Sequence, residues 1–194
     1  MAIICPLFSS SKGNCTYIGS ANEGILIDVG RSARQIERAL NSNNIDIYSI
    51  KAIFITHEHI DHIQGLKVIA SRYNIKVFAS EGTMRSLVKK EVINGKFETE
   101  VMTEKGINVG GMFVKTFRTP HDSNESVGYV VYTSDGKKAV VATDIGYMTD
   151  AIRESINGAD AVLIESNHDV GMLQNGSYPY YLKKRIMSNI GHLS

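Results

Sequence analysis

Four residues with metal-binding side chains, His57, His59, Asp61 and His62, fall within the six-residue run His57-Glu58-His59-Ile60-Asp61-His62. An apolar run, Lys51-Ala52-Ile53-Phe54-Ile55-Thr56, precedes them and reads as a buried strand. Side chains two apart in an extended segment point the same way, so His57 and His59 can close on one ion. Asp61 and His62 fall just past the strand end, where a chain turning into a helix can present them to a second ion. Imidazole and carboxylate are ligands that zinc, manganese and iron accept. The chain has six histidines, and three of them lie in this run, which argues against a chance polar loop. The helical zinc-protease spacing is excluded. His57-Glu58 would need a histidine at position 61, which is Asp61.

Around this motif the chain reads as mixed α and β. Strands are expected at 1–8, 15–18, 24–28, 52–56, 76–79, 112–118, 127–133, 138–143 and 159–164. Helices are expected at 31–40, from 63 to about 73, and at 81–90, 148–156 and 178–188. Their signals are Ala33, Ile36 and Leu40 on one face, and Ile63, Leu66, Ile69 and Ala70 on another. Ser20-Ala21-Asn22-Glu23 and Ser134-Asp135-Gly136-Lys137 read as turns, and 91–111 is less periodic. The elements fall into two groups, before and after about residue 111. No internal repeat or low-complexity tract is visible.

A chain of 194 residues with 43% hydrophobic and 21% charged residues suits one globular domain. A net charge of +1 creates no global field for nucleic acid, so a polyanionic substrate would need local basic patches. Cys5 and Cys15 belong to no CxxC motif and are expected as two buried, reduced thiols. The opening residues lack a basic region and a long apolar core, so no signal peptide is expected. No apolar run approaches a membrane span, and a cytoplasmic setting is expected.

His-x-His-x-Asp-His after a buried strand resembles the metallo-β-lactamase superfamily of hydrolases. The resemblance implies a four-layer αββα sandwich, with the site at one edge where loops from both halves meet. Three further segments resemble the YycJ (WalJ) exonuclease group within that superfamily. They are Ser10-Ser11-Lys12-Gly13-Asn14-Cys15-Thr16, with Lys12 departing from the group's pattern, Glu165-Ser166-Asn167-His168-Asp169, and Gly191-His192-Leu193-Ser194. Members of the group are regarded as 5′-to-3′ DNA exonucleases linked to DNA repair or replication.

The rest of the site follows from residue type, position and this resemblance. Asp28 ends an apolar strand, and a carboxylate there can accept a hydrogen bond from a metal-bound histidine and orient it. His121, after Thr119-Pro120, is the natural third imidazole for the first ion. The resemblance makes Asp144 a bridging carboxylate. Two ions together would lower the pKa of a shared water, and the resulting hydroxide is the expected nucleophile. Zinc suits the ligands best, with manganese or iron open. Gly13 and Asn14 could offer donors to a phosphate. His168 and His192 could contact a phosphate, protonate the leaving oxygen or stand behind the ligands. Each of the two could equally be a satisfied structural histidine. Asp61 and these two histidines are the candidate catalytic residues.

Lys183-Lys184-Arg185 could hold a DNA backbone by counterion release, although such runs are usually solvated helix faces. Lys89-Lys90 is weaker, and Tyr178, Tyr180 and Tyr181 read as core or helix packing as readily as base contacts. The group's pattern places a further metal-binding histidine beyond residue 194. The chain is therefore expected to be a C-terminally shortened single domain lacking its last elements. Its second ion would be held by Asp61, His62, Asp144 and water. Two other readings stay open: a small-molecule hydrolase (lactone, thioester or cyclic phosphodiester), and an inactive binding module.

Overall fold

A computed structural model describes every residue except Met1, Ala21 and Glu104. The first residue of the expected opening strand and one residue of the expected 20–23 turn therefore lie outside the described residues.

The first sheet holds β1 (Ile3–Phe8), β2 (Cys15–Gly19), β3 (Gly24–Ile27), β4 (Ile50–Ile55), β5 (Lys76–Ala79) and β6 (Thr99–Val101), side by side in that order. β1, β2 and β3 pair antiparallel, and β3 to β6 pair parallel. Parallel neighbours need crossovers, here supplied by α1 (Ala33–Ser42), α2 (Ile60–Ile63) with α3 (Leu66–Tyr73), and α4 (Glu81–Lys89).

Side-chain alternation sends the two faces of this sheet into two cores. Leu26, Ile53, Ile55 and Val77 face the helices and pack with Ile36, Leu40, Leu66 and Ile69. Ile25, Ile27, Phe54 and Phe78 face the second sheet and pack with Val114, Tyr129, Val131 and Val141. Phe54 stacks on Phe78 at 5.0 Å and meets Tyr129 edge-on at 5.3 Å. The buried Tyr129 hydroxyl donates to the Ile55 carbonyl at 2.7 Å, tying the two sheets together.

The second sheet has the order β11-β10-β9-β8-β7, from β7 (Ile107–Val109), β8 (Met112–Arg118), β9 (Val127–Tyr132), β10 (Lys138–Ala142) and β11 (Ala161–Ile164). Only β10 and β11 pair parallel. α5 (Asp150–Ile156) packs on β8 and β10. The arrangement is the expected face-to-face pair of mixed sheets with helices outside.

Several boundaries differ from expectation for identifiable reasons. The switch between sheets comes before β7 rather than at 111, because Gly110 and Gly111 (φ 53° and 66°) close a two-residue hairpin between β7 and β8. The expected 63–73 helix is split at Gly65, whose N–H donates to the Val29 carbonyl at 2.8 Å. α6 (Val170–Asn175) was not expected; Asp169 caps it by accepting from the Met172 N–H at 2.8 Å. α7 (Tyr180–Ile186) follows Pro179. Both cysteines are free, but Cys5 on edge strand β1 is only half-buried, whereas Cys15 is buried. No described helix is long and apolar enough to cross a membrane.

Candidate metal centre

Strands β3, β4, β8, β10 and β11 all end at one rim, and the residue types that do chemistry follow those ends. Asp28 follows β3, His57 lies two residues past β4, His121 follows β8, Asp144 follows β10 and Glu165 follows β11. Parallel strands gather their C-terminal loops on one side, which explains the convergence.

The nitrogens of three imidazoles meet there. His57 Nε2 lies 3.0 Å from His59 Nδ1, and His121 Nε2 lies 3.3 Å from the same atom. His62, His57 and Asp144 form a second cluster, and His121, Asp144 and His192 a third. Within each, one ligand atom per residue lies within 4.8 Å of the others. Asp144 and two of the imidazoles are thus shared between clusters. Imidazole nitrogens and a carboxylate oxygen gathered this closely suit divalent cations.

The protonation states of His57 and His121 lean the same way, whereas His62 is held protonated by its carboxylate neighbours until a cation displaces that proton. Burial pushes His57 well below the usual histidine range, and the neighbouring His62 adds to the effect. Burial also lowers His121, against the pull of Asp144 and Asp122. Both rings are therefore neutral and free to ligate. Burial would raise the Asp144 carboxyl, but His62, His57 and His121 around it hold it far below the usual carboxylate range. His62 would be lowered by burial, yet Asp28 and Asp144 overcome this and raise it well above the usual value.

His62 Nδ1 lies 2.7 Å from Asp28 Oδ2, and its Nε2 lies 2.8 Å from Asp144 Oδ2. Asp28 also accepts from the Thr56 N–H at 2.9 Å and the Thr56 hydroxyl at 2.8 Å. That hydroxyl is 3.0 Å from His57 Nδ1. Thr56 and Asp28 together fix the outward nitrogens of two rings, leaving Nε2 of each toward the cluster. Asp28 and Asp144 both adopt left-handed backbone, φ 60° and 52°, a conformation costly for non-glycine residues and concentrated at functional sites.

Asp61 stands at the margin. Its Oδ2 is 3.6 Å from His62 Nε2, and it belongs to none of the three close clusters among the described residues. Asn14 Nδ2 lies 3.1 Å from His62 Nε2 and donates to Asp61 Oδ2 at 3.5 Å, so Asn14 reaches the site. Gly13 does not offer the expected free donor: its N–H donates to the Ser10 carbonyl at 2.9 Å within its own turn. Three loops are stitched at this point. The Asn14 N–H donates to the Asp61 carbonyl at 2.8 Å, and the Gly30 N–H donates to the Asn14 carbonyl at 2.7 Å. A Cβ on Gly30 would lie 1.6 Å from the Asp61 carbonyl oxygen, so only glycine allows that approach.

An open cavity of about 610 Å³ borders the cluster and is lined by Asn14, Asp61, Asp144, His168 and His192, among others. His192 Nδ1 is 2.6 Å from Glu165 Oε1 and 3.3 Å from Asp144 Oδ1. The Glu165 hydrogen bond raises its pKa against the effect of burial. Glu165 also accepts from the Ile145 N–H at 2.8 Å and so steadies the Asp144 loop. His168 lies apart from the clusters, half-buried on the cavity wall, with its Nδ1 buried and without a partner among the described residues.

Sequence reasoning assigned no role to Thr56, Asp122 or Glu165. Glu165 carried a usable signal, since an acidic residue directly after an apolar strand is also what marks Asp28 and Asp144. Asp122 lies 3.3 Å from His121 Nε2 and takes both Nε and Nη2 of Arg185, at 2.6 and 2.9 Å. Arg185 is thereby committed to a protein partner, and Lys183 donates to the Gln174 carbonyl at 2.8 Å. In the expected basic run this leaves the exposed Lys184. Lys90 likewise donates to the Glu58 carbonyl at 2.8 Å.

The chain is similar to several known proteins. A protein named exodeoxyribonuclease YycJ from Bacillus anthracis is 37% identical over 190 residues, covering 96% of this chain and 71% of that protein. One named exodeoxyribonuclease WalJ from Streptococcus pneumoniae is 35% identical over 192 residues, covering 97% of this chain and 71% of that protein. The crystal structure of Zn(2+)-bound PqqB from Methylobacterium extorquens shares the fold, with a TM-score of 0.70 at 18% identity over 86% of this chain and 64% of that one. Residues 24–193 match the β-lactamase superfamily domain, and the chain, with its candidate metal-ligand rim at the ends of two sheets, belongs to that family.

Proposed function

We propose that this chain is a metal-dependent phosphodiester hydrolase acting as a 5′-to-3′ DNA exonuclease. The observation that carries the reading is the 37% identity, over 96% of the chain, to a protein named as an exodeoxyribonuclease. The site supports it. His57, His59 and His121 would hold one divalent ion, and His62, Asp144 and Asp61 a second, with Asp144 placed to reach both. Zinc fits this nitrogen-rich set best, and manganese or iron also accept it. When bound, the pair would supply a nucleophilic water of lowered pKa and neutralise phosphate charge.

The chain's own residues do the positioning. Asp28 and Thr56 orient His62 and His57, and Glu165 orients His192. His192 faces the cavity beside Asp144, where its ring can deliver a proton to the leaving oxygen. Asn14 and His168 line the same cavity and suit phosphate contacts. The unpaired thiols fit a reducing, cytoplasmic setting.

The test is a time course on 5′-phosphorylated duplex DNA with added manganese or zinc, beside Asp61→Ala and matched RNA. Metal-dependent shortening from the 5′ end, lost in the variant, is expected. Turnover of a lactone or thioester without DNA shortening would move the chain to small-molecule hydrolysis. DNA binding with no turnover, unchanged in Asp61→Ala, would make it a binding module.

A further inference from the structure

Glu58 stands between His57 and His59 and is buried, with 6% of its surface exposed. Glutamate is rarely buried unless it is paired, because taking a carboxylate out of water is costly. Side chains alternate in extended backbone, so Glu58 points away from the cluster that His57 and His59 enter. It belongs to none of the close ligand groups among the described residues. Its Oε1 accepts from the Asn124 N–H at 2.9 Å, and its Oε2 is buried without a partner among the described residues. A buried oxygen left without a donor costs stability, so the stability of the fold does not explain this carboxylate.

Its partner does. Asn124 sits in the 119–126 loop, which joins β8 to β9 and presents His121. That loop belongs to the second sheet, whereas His57 and His59 follow a strand of the first. The distance from His121 to the other two imidazoles therefore depends on how the loop is held against the first sheet. Helix α4 braces both sides. At its end, Lys90 Nζ donates to the Glu58 carbonyl at 2.8 Å, and the Ser86 hydroxyl accepts from the Asn124 side-chain amide. At its start, the Gly82 N–H donates to the Glu125 carboxylate, and the Ser80 hydroxyl donates to the Glu125 carbonyl at 2.6 Å. The Glu58–Asn124 bond completes this brace by joining the loop directly to the residue between the two histidines. A slip of the loop would carry His121 Nε2 away from His59 Nδ1, which it approaches to 3.3 Å.

We propose that Glu58 is a positioning residue: by holding the Asn124 N–H, it keeps His121 at ligating distance from His57 and His59. The proposal rests on the metal-centre reading, holds for any substrate, and adds a residue that touches no ion itself.

The experiment titrates the metal-free protein with cobalt(II) and follows the visible absorption of the bound ion, which depends on ligand number and geometry. Denaturant unfolding of the metal-free protein runs beside it. The ion of interest is the one whose affinity His121→Ala weakens. Glu58→Met is expected to weaken that ion about tenfold or more and to alter its absorption. Its metal-free unfolding midpoint should stay at or above wild type, since an apolar chain replaces a buried carboxylate. Glu58→Asp keeps the acid but draws its oxygens back by one methylene, so it should weaken the same ion, and it carries the test if the Met variant does not fold. Glu58→Gln keeps an acceptor at the same reach and should bind as wild type does. In the His121→Ala background, Glu58→Met should change affinity by less than about twofold, because Glu58 acts through His121.

Met and Asp variants that bind cobalt as tightly as wild type would overturn the proposal alone. So would a loss in Glu58→Gln with none in Glu58→Asp, which would make the effect one of charge. Equal loss at both ions with a lowered unfolding midpoint would also overturn it and leave Glu58 a structural residue. No cobalt bound by wild type, or binding that His121→Ala leaves unchanged, would remove the metal-centre reading and the proposal with it.

Discussion

Oδ2 of Asp28 lies 2.7 Å from Nδ1 of His62, and both side chains are buried. The same carboxylate holds the Thr56 N–H and hydroxyl, so one residue at the end of β3 fixes the geometry at the end of β4. Asp28→Ala is expected to weaken binding at the His62 cluster about 10- to 100-fold. It also strands the buried Thr56 N–H, at about 1–3 kcal/mol. Metal titration by calorimetry together with chemical denaturation separates the two effects. Unchanged affinity with lowered stability would reduce Asp28 to a structural residue.

Gly30 is where the metal loop touches the loop after β3. A methyl group there would lie 1.6 Å from the Asp61 carbonyl oxygen, and neither backbone can yield without breaking the hydrogen bonds between Asn14, Gly30 and Asp61. Gly30→Ala is expected to cost about 3 kcal/mol or more. A thermal melt within a degree or two of wild type would contradict the close approach.

His57 and His121, buried and held neutral, gain from ligating a cation. Added zinc at about a thousand times its dissociation constant is expected to stabilise the fold by about 4 kcal/mol, and a chelator to reverse this. Differential scanning calorimetry reads both. The zinc-induced rise should shrink in His121→Ala and stay intact in His168→Ala, whose ring lies outside the clusters.

His192 can be tested as a proton donor by its leaving group. His192→Ala is expected to slow hydrolysis of DNA, whose alkoxide leaves poorly, about 100-fold or more. A p-nitrophenyl phosphodiester, whose leaving oxygen needs no proton, should be slowed far less. Equal losses on both substrates, with one metal fewer per chain, would make His192 a ligand instead.

Cys15 gives a pH dependence away from the ligands. Burial, with smaller effects of Asp28 and Cys5, raises its thiol well above the ordinary 9.0. The folded chain therefore keeps a proton that the unfolded chain releases. Its stabilising contribution is complete below about pH 9 and is lost as pH rises toward the folded value. Denaturation midpoints should fall above pH 9 in wild type, and less steeply in Cys15→Ala. Parallel slopes for the two would contradict the assignment.

The first candidate ligand cluster was legible because its signal is local. His57 and His59 share a strand-like spacing, and the strand before them is continuously apolar. Asp28 and Asp144, at the ends of apolar strands before a glycine turn, and His121, after Pro120, were legible from those places together with the family resemblance. The apolar run Ile25-Leu26-Ile27 likewise declared a strand, and the structure buries it on both faces. Glu165 stands at the same kind of position, but its hydrogen bonds to Ile145 and its pairing with His192 join three separate segments, which no spacing encodes. Gly13 misled because a glycine in a polar loop looks like a phosphate donor, while the N–H it would offer closes its own turn.

By itself, the sequence determined the ligand types, the two-sided strands and the order in which the rim residues arrive, since these depend on residue chemistry and short-range period. Tertiary structure alone decided the rest. It placed His121 and His192 beside His59 and Asp144, left Asp61 at the margin, and committed Arg185 to Asp122. It also set Tyr178 on the cavity wall. The reason is that contacts between residues far apart in the chain depend on how two sheets and their crossovers pack, and local pattern carries no information about that distance.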